Sequence, residues 1–307
     1  MDYKKIIKSR EARTKILRLL SFIPDKPMLK MQYRVKMGRK LDLKNPKRFT
    51  EKLQWYKLYY KNPIMIQCVD KYDVREYIRN LGLSDYLNEC YGVYNSPDEI
   101  DFSKLPNQFV LKDTLGGGGN SVIICKDKAS FDIESCKKQM IGWVSTPLMR
   151  DGGREWPYYS GKKHRIIIEK YIQSNGNETG LADYKFFCFS GKAVYLQYMS
   201  NRILGLEAVV GIYDRNFNRL SVKRVGDSYL EDEIRKPDNY LKMLEISDRL
   251  SRDFPHARVD LYNVNGKILL GEITFYGASG YMKYEPDSFD FELGKRFVLP
   301  EKIRDEE

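Results

Sequence analysis

Four consecutive glycines, Gly116, Gly117, Gly118 and Gly119, stand between two short apolar runs, residues 109–112 and 122–125, in the segment PNQFVLKDTLGGGGNSVIICKDK. Glycine reaches positive φ without steric cost and lets backbone N–H groups approach an anion closely. Four in a row also add chain entropy that is lost on ordering, a poor choice for a plain connector. The next element reads as a strand and no GK[ST] triplet follows, which excludes a phosphate loop that runs into a helix. Two readings remain: a glycine-rich β-hairpin flap closing over a nucleotide, or a flexible hairpin loop. In the first, Lys112 at the root of the flap places an ammonium against phosphates.

A second hairpin, RVDLYNVNGKILLGEITFYGASG, constrains the chemistry through parity. Val259, Leu261, Leu269 and Ile273 carry odd numbers, whereas Arg258, Asp260, Glu272 and Thr274 carry even ones. A three-residue loop, residues 264–266 with Gly266 left-handed, puts each set on its own face. A two-residue turn closed by Val264 and Lys267 would send Asp260 and Glu272 to opposite faces. The odd set is apolar and belongs in a core, so the three-residue loop is expected. Two carboxylates then share a face with an arginine and a threonine. They repel each other unless a cation lies between them, and their hard oxygens suit Mg²⁺ bridging nucleotide phosphates. An ion pair with Arg258 accounts for one carboxylate and leaves the other without a partner.

The run HRIIIEKYIQ is a buried strand ending in Glu169, Lys170, Tyr171 and Ile172, whose last backbone groups can read a purine; Glu178 is placed to take a ribose hydroxyl. With 307 residues, 42% of them hydrophobic and 13% aromatic, the chain has enough apolar surface for one large or two modest cores. It contains no run of about eighteen apolar residues and no secretory leader, so a cytoplasmic place is expected. The five cysteines are scattered and read as reduced thiols. His164 and His256, the two histidines, lack any supporting motif and read as hydrogen-bonded structural residues.

The net charge of +11 is unevenly spread: residues 1–62 hold nineteen Lys or Arg against five Asp or Glu. No nucleic-acid-binding signature accompanies that charge, so no nucleic acid partner is expected. Ile6, Ile7, Leu17, Leu20, Phe22 and Ile23 among the basic residues fit an amphipathic helix that docks on the protein or lies on an anionic membrane. Residues 45–60 and 69–82 have helical patterns with starts at Thr50 and Asp70, the second turning Tyr72, Val74, Tyr77 and Ile78 inward. In residues 150–163, Trp156, Tyr158 and Tyr159 among glycines read either as a mobile loop that stacks a sugar or as an anchoring aromatic cluster.

VLK before the glycine flap, IIIEKYI, DYKFFCFSGK, and RVDLY with GEITFYGASG follow one another in the order and spacing of the TupA-like ATP-grasp family. NPKRFTEKLQWYKLYYKNP, VDKYDVREYI and SFDFELGKRFVLP also resemble that family, so the likeness spans residues 42–300. It implies an α+β ATP-grasp fold, two α+β lobes clasping ATP behind a basic helical amino-terminal region. The corresponding divisions are residues 1–62, a helical segment 63–106, an amino-terminal lobe 107–172 and a carboxy-terminal lobe 173–307.

The resemblance further implies ATP and Mg²⁺ as cofactors. Lys112 and Lys185 would hold phosphates, residues 169–172 would frame adenine with Glu178 and Asp183 beside the nucleotide, and Asp260 and Glu272 would bind Mg²⁺. Arg258 would face a reacting carboxylate. Thr274 stands where such ligases usually have Asn, a weaker ligand that leaves one firm metal site. The implied reaction is carboxylate–amine ligation through an acylphosphate in surface-polysaccharide assembly such as capsule, O-antigen or teichuronopeptide, on a small or lipid-linked saccharide. A kinase acting on a sugar hydroxyl and a glycosyltransferase, a label some members carry, are the alternatives.

Overall fold

The computed structural model describes residues 9–117, 119, 121–150, 153–173, 180–200 and 208–302. Helix α1 (Arg10–Leu19) starts where the Ser9 hydroxyl accepts the Ala12 N–H at 3.3 Å, and α2 (Asp25–Met37) stops at Gly38 with φ of 75°. In α3 (Phe49–Tyr59) the Glu51 carboxylate takes the N–H groups of Lys47 and Arg48 at 3.0 and 3.1 Å. Thr50 is therefore not the start of that helix. It lies buried within it, its hydroxyl donating to Asp290 at 2.8 Å.

The helix expected over residues 69–82 is α5 (Val74–Asn80), and a separate helix, α4 (Ile64–Val69), meets that range only at Val69. Asp70 separates them because its carboxylate takes the N–H groups of Tyr72 and Asp73 at 2.9 and 3.0 Å, in competition with helical bonds. Val74, Tyr77 and Ile78 turn inward as expected, whereas Tyr72 is exposed.

The strands are β1 (Cys90–Tyr94), β2 (Phe109–Asp113), β3 (Val122–Cys125), β4 (Ile166–Lys170), β5 (Asp183–Phe189), β6 (Lys192–Ser200), β7 (Val209–Asp214), β8 (Lys223–Arg224), β9 (Ser228–Tyr229), β10 (His256–Val264), β11 (Lys267–Thr274) and β12 (Tyr284–Glu285). β1 to β4 form an antiparallel sheet in the order β1-β4-β2-β3. β1 falls in the segment expected to be helical; its five residues extend the sheet beyond β4. A six-stranded sheet has the order β11-β10-β5-β6-β7-β9, with β9 joining parallel, and β8 pairs with β12.

Apolar burial follows this division. Phe109, Leu111, Ile166 and Ile168 pack with Cys136 and Met140 of α6 (Ile133–Val144) in one core. A larger core gathers α3, α4 and α5 with α7 (Tyr240–Ser251) and α8 (Ser288–Arg296) around the six-stranded sheet. A third, small cluster gathers Leu29, Tyr33, Met37 and Leu41, and the space between the two large cores is where a ligand can be enclosed. Along β5 the alternation of side chains assigns the faces. Phe186 meets Tyr240 of α7 at 6.0 Å between ring centroids, while Asp183 and Lys185 point the other way, Lys185 reaching Asp260 of β10. No helix among the described residues is long and apolar enough to cross a membrane.

Candidate active site

The β10–β11 hairpin does bring Asp260 and Glu272 side by side, but not through the expected loop. Val264 pairs with Lys267 around a two-residue Asn265–Gly266 turn, with φ of 53° and 79°. A register shift beyond Leu261 then lets Gly271 stand as an extra residue, so Asp260 faces Glu272 and Arg258 faces Thr274. Glycine is needed at the bulge: a Cβ there would stand 3.1 Å from the Asp260 carbonyl oxygen. Leu269, expected on the face of Val259, pairs instead with Tyr262 because it lies on the turn side of the bulge.

Charged groups of three strands, β5, β10 and β11, meet on this face. Arg258 donates from Nε to Asp260 Oδ1 and from Nη2 to Oδ2, both at 2.7 Å, and Nη2 also reaches Glu272 Oε1 at 3.2 Å and Thr274 Oγ1 at 3.1 Å. Lys185 donates to Asp260 at 2.5 Å and lies 3.3 Å from Asp183. Arg258 thus engages both carboxylates, correcting the expectation that an ion pair leaves one of them unmatched. The two acids differ in setting: the Asp260 side chain is 1% exposed and that of Glu272 45%. Burial pushes the Asp260 carboxyl up against the pull of Arg258 and Lys185. For Glu272 burial also pushes upward, but Arg258, Lys185 and Lys71 prevail and hold it at about 2.

The oxygens of Asp260, Glu272 and Thr274 are hard donors of the kind Mg²⁺ takes, and they share a face. Both Asp260 oxygens are occupied by cationic side chains, whereas Glu272 opens to the cleft. No cluster of three or more Asp, Glu, His or Cys side chains forms a ready cage among the described residues. The donor chemistry fits a cation shared with phosphates and water better than one caged by protein.

The opposite wall carries the flap. Strands β2 and β3 pair as expected, and the Asp113 N–H donates to Ser121 O at 3.1 Å at the flap's root. Gly116 must be glycine because a Cβ would stand 2.7 Å from that of Ser121; Gly119 is left-handed at φ 75°. Gly116, Gly117 and Gly119 line the cleft, and Gly118 lies outside the described residues. Lys112 and Glu169 are brought together at 2.7 Å, with Arg75 on the other Glu169 oxygen at 3.3 Å. Lys170 turns outward to Glu89, and its backbone N–H and C=O are taken by Glu89 O at 2.9 Å and the Asn88 amide at 2.8 Å. Of the expected adenine frame, residues 169–172, only Glu169 lines the cleft; Tyr171 and Ile172 are half-buried and stand outside its lining. Glu178 lies outside the described residues.

Together these elements line a cleft of about 780 Å³ that holds Lys112, Asp183, Lys185, Arg258, Asp260 and Glu272. Lys71 lines it too and was not expected. Its N–H donates to Thr114 O at 2.9 Å and its ammonium to Gly116 O, so it clamps the flap's root; burial lowers its pKa. It stands in VDKYDVREYI, one of the family-like segments, but nothing there shows that it reaches the flap, since its partners lie more than forty positions away. At the far end, Trp156 is buried and donates to Tyr276 at 3.0 Å, and Tyr159 donates to Asp25 at 3.2 Å, an anchoring cluster; Tyr158 and Tyr159 both line the cleft. Ser279, left-handed at φ 53°, donates to Glu155 at 2.5 Å beside it.

His256, at the core end of β10, is buried and donates from Nδ1 to Cys188 O at 2.9 Å, and burial lowers its pKa to about 3, so it stays neutral. It is a structural histidine, as expected.

No curated protein sequence matches this chain. Among solved structures it is similar to D-alanine–D-alanine ligase from Bacillus anthracis, at 19% identity and TM-score 0.39, over 68% of this chain and 57% of that one. It is similar to the Helicobacter pylori D-alanine–D-alanine ligase at 14% identity and TM-score 0.41, over 77% and 60%. A RimK domain ATP-grasp protein from Sphaerobacter thermophilus matches at 11% identity and TM-score 0.40, over 77% and 69%. The chain thus spans less than two thirds of the length of both D-alanine–D-alanine ligases. The family model for TupA-like ATP-grasp proteins matches residues 51–298, and this chain belongs to that family, with the α+β ATP-grasp fold.

Proposed function

We propose that this protein is an ATP- and Mg²⁺-dependent carboxylate–amine ligase acting on a uronic acid or similar saccharide carboxylate, free or lipid-linked, in surface-polysaccharide assembly. The observation that carries the reading is one cleft with a glycine flap, Lys71 and Lys112 on one wall and Lys185, Arg258, Asp260 and Glu272 on the other. A carboxylate oxygen attacks the γ-phosphorus and ADP leaves; the amine then attacks the acyl carbon, phosphate leaves, and the amine nitrogen gives up a proton. Negative charge moves along the phosphates in the first step, and fixed cations placed around them lower its barrier. Lys71, Lys112 and Lys185 hold phosphate oxygens, and Arg258 orients the carboxylate. Glu272, Asp260 and Thr274 would hold Mg²⁺, which when bound neutralises phosphate charge.

A screen of uronic acids against amino acids for ADP release tests this. Phosphate released in step with ADP supports ligation, and phosphorylated saccharide without free phosphate overturns it in favour of a kinase.

Lys112→Ala should weaken ATP binding by about 10- to 100-fold, the worth of a charge-assisted contact of roughly 1.5–3 kcal/mol. Calorimetric titration reads it directly, and an unaltered Kd would place the phosphates elsewhere.

We also propose an anionic membrane surface as a partner of residues 1–62, on the strength of exposed apolar side chains among basic ones. Leu19 and Phe22 are 75% and 80% exposed. On the outer face of α2, Met31 and Val35 stand exposed among Lys30 and Arg34. The hairpin is also docked: buried Arg154 donates to Leu20 O at 2.7 Å, Ile23 O at 2.6 Å and Asp25 at 3.0 Å. Deleting the segment would strip Arg154 of its partners, so point variants are the cleaner test. Leu19→Ser with Phe22→Ser is expected to abolish cosedimentation with phosphatidylglycerol vesicles at low salt and leave the Kd for ATP unchanged. Undiminished cosedimentation would remove the membrane from the account.

A further inference from the structure

The ligase reading leaves His164 without a role, yet it lines the same cleft as Lys71, Lys112 and the flap glycines. Its Nδ1 lies 2.9 and 2.8 Å from the two carboxylate oxygens of Asp113. An ionised carboxylate only accepts, so the proton sits on Nδ1 and the ring's other nitrogen, Nε2, points away from Asp113. Asp113 is itself nearly fully buried, and its carboxylate also accepts the Leu115 N–H at 3.0 Å.

This pair sits at the root of the flap. The Asp113 main chain bonds Ser121 across the hairpin and receives the Gly116 N–H at 3.1 Å, while the Thr114 N–H donates to Arg165 O at 2.9 Å. The segment entering β4 and the flap are thereby tied at His164 from two directions. A histidine with one nitrogen fixed by a buried carboxylate and the other left to a cleft is arranged to act there, because the carboxylate fixes the orientation of the ring.

We propose that His164 is a phosphate-binding residue: as imidazolium it donates from Nε2 to the polyphosphate of a nucleoside triphosphate, and Asp113 holds it in place. This rests on the nucleotide reading of the cleft. Among the charged groups around it, Asp113 is in direct contact, and Lys71, Lys112, Glu169 and Glu272 line the same cleft. Its chain neighbours are turned away, Arg165 to Asp70 at 3.0 Å and to Asp73 at 2.8 Å, and Lys162 to Asp73.

The test is the Kd for ATP of the full chain, His164→Gln and His164→Asn, with thermal melts to establish folding. Gln retains a neutral donor near the Nε2 position, and Asn retains the contact with Asp113 alone. His164→Asn should weaken ATP binding about tenfold or more, the worth of a lost charge-assisted contact, and His164→Gln should weaken it less. An unaltered Kd in both variants overturns the proposal while leaving the nucleotide site standing. Absence of ATP binding by the wild type overturns the nucleotide reading itself.

Discussion

Glu272→Gln is expected to lower kcat by roughly 10²-fold or more with only a small fall in melting temperature, whereas Asp260→Asn is expected to lose both activity and much more stability. The two carboxylates face each other across one hairpin, yet they do different work. Glu272 is nearly half exposed, touches Arg258 and Thr274 at 3.2 and 3.0 Å, and stays ionised down to about pH 2. Removing its charge subtracts a metal and phosphate partner from an open wall, not a support from a core. Asp260 is buried under Arg258 and Lys185, and an amide in its place presents N–H groups to donors that need acceptors. Breaking such a buried pair costs roughly 3–5 kcal/mol, which lowers the melting temperature of a chain this size by about 10 °C. ADP release at saturating Mg²⁺, measured beside a thermal melt, separates the two effects. Normal turnover in both variants would move the metal site away from this hairpin.

Both hairpins were legible because they are local. Apolar alternation and four glycines specify the flap from residues within a few positions of one another, and β2 and β3 pair accordingly. For the second hairpin the destination was right and the route wrong. Parity counting assumes an unbroken pleat, and Gly271 breaks it by one residue, which changes the sign of every inference beyond it. A lone glycine inside a strand was the available signal. Asp70 hid a helix break in the same way, by a side-chain bond that a periodicity plot does not see. The cleft's cations were only half legible. Lys112 stands beside the flap, whereas Lys71 and His164 reach it from 45 and 51 positions away. Neither carries a local pattern, because tertiary packing alone makes them neighbours.

Lys57 yields the other large effect, and it concerns pH. Its side chain is 2% exposed, and its ammonium donates to Gln54 Oε1 at 3.1 Å, Gly153 O at 2.6 Å and Ser279 O at 2.8 Å. It ties α3 to the two loops that close the far end of the cleft. Burial lowers its pKa to about 7, partly opposed by Glu155 and Asp25 and reinforced by Lys36. An unfolded chain keeps that proton to near the ordinary lysine value of about 10.4, so between the two values the unfolded state binds more protons. Stability therefore rises with pH across that window: the cost of burying the charge is present in full below about pH 7 and is relieved as pH approaches 10. Lys57→Met removes the titration and also takes away the ammonium whose hydrogen bond Gly153 O accepts, while Ser279 O keeps the Gln54 amide at 3.2 Å, a loss that does not vary with pH. Denaturant unfolding at pH 7, 8 and 9.5 should show the wild type gaining on the variant as pH rises, by an amount on the order of several kcal/mol. Other titrating groups are shared by both proteins and drop out of the difference. Unfolding curves that keep a constant separation would mean that Lys57 holds its proton throughout, its three acceptors and Glu155 outweighing burial.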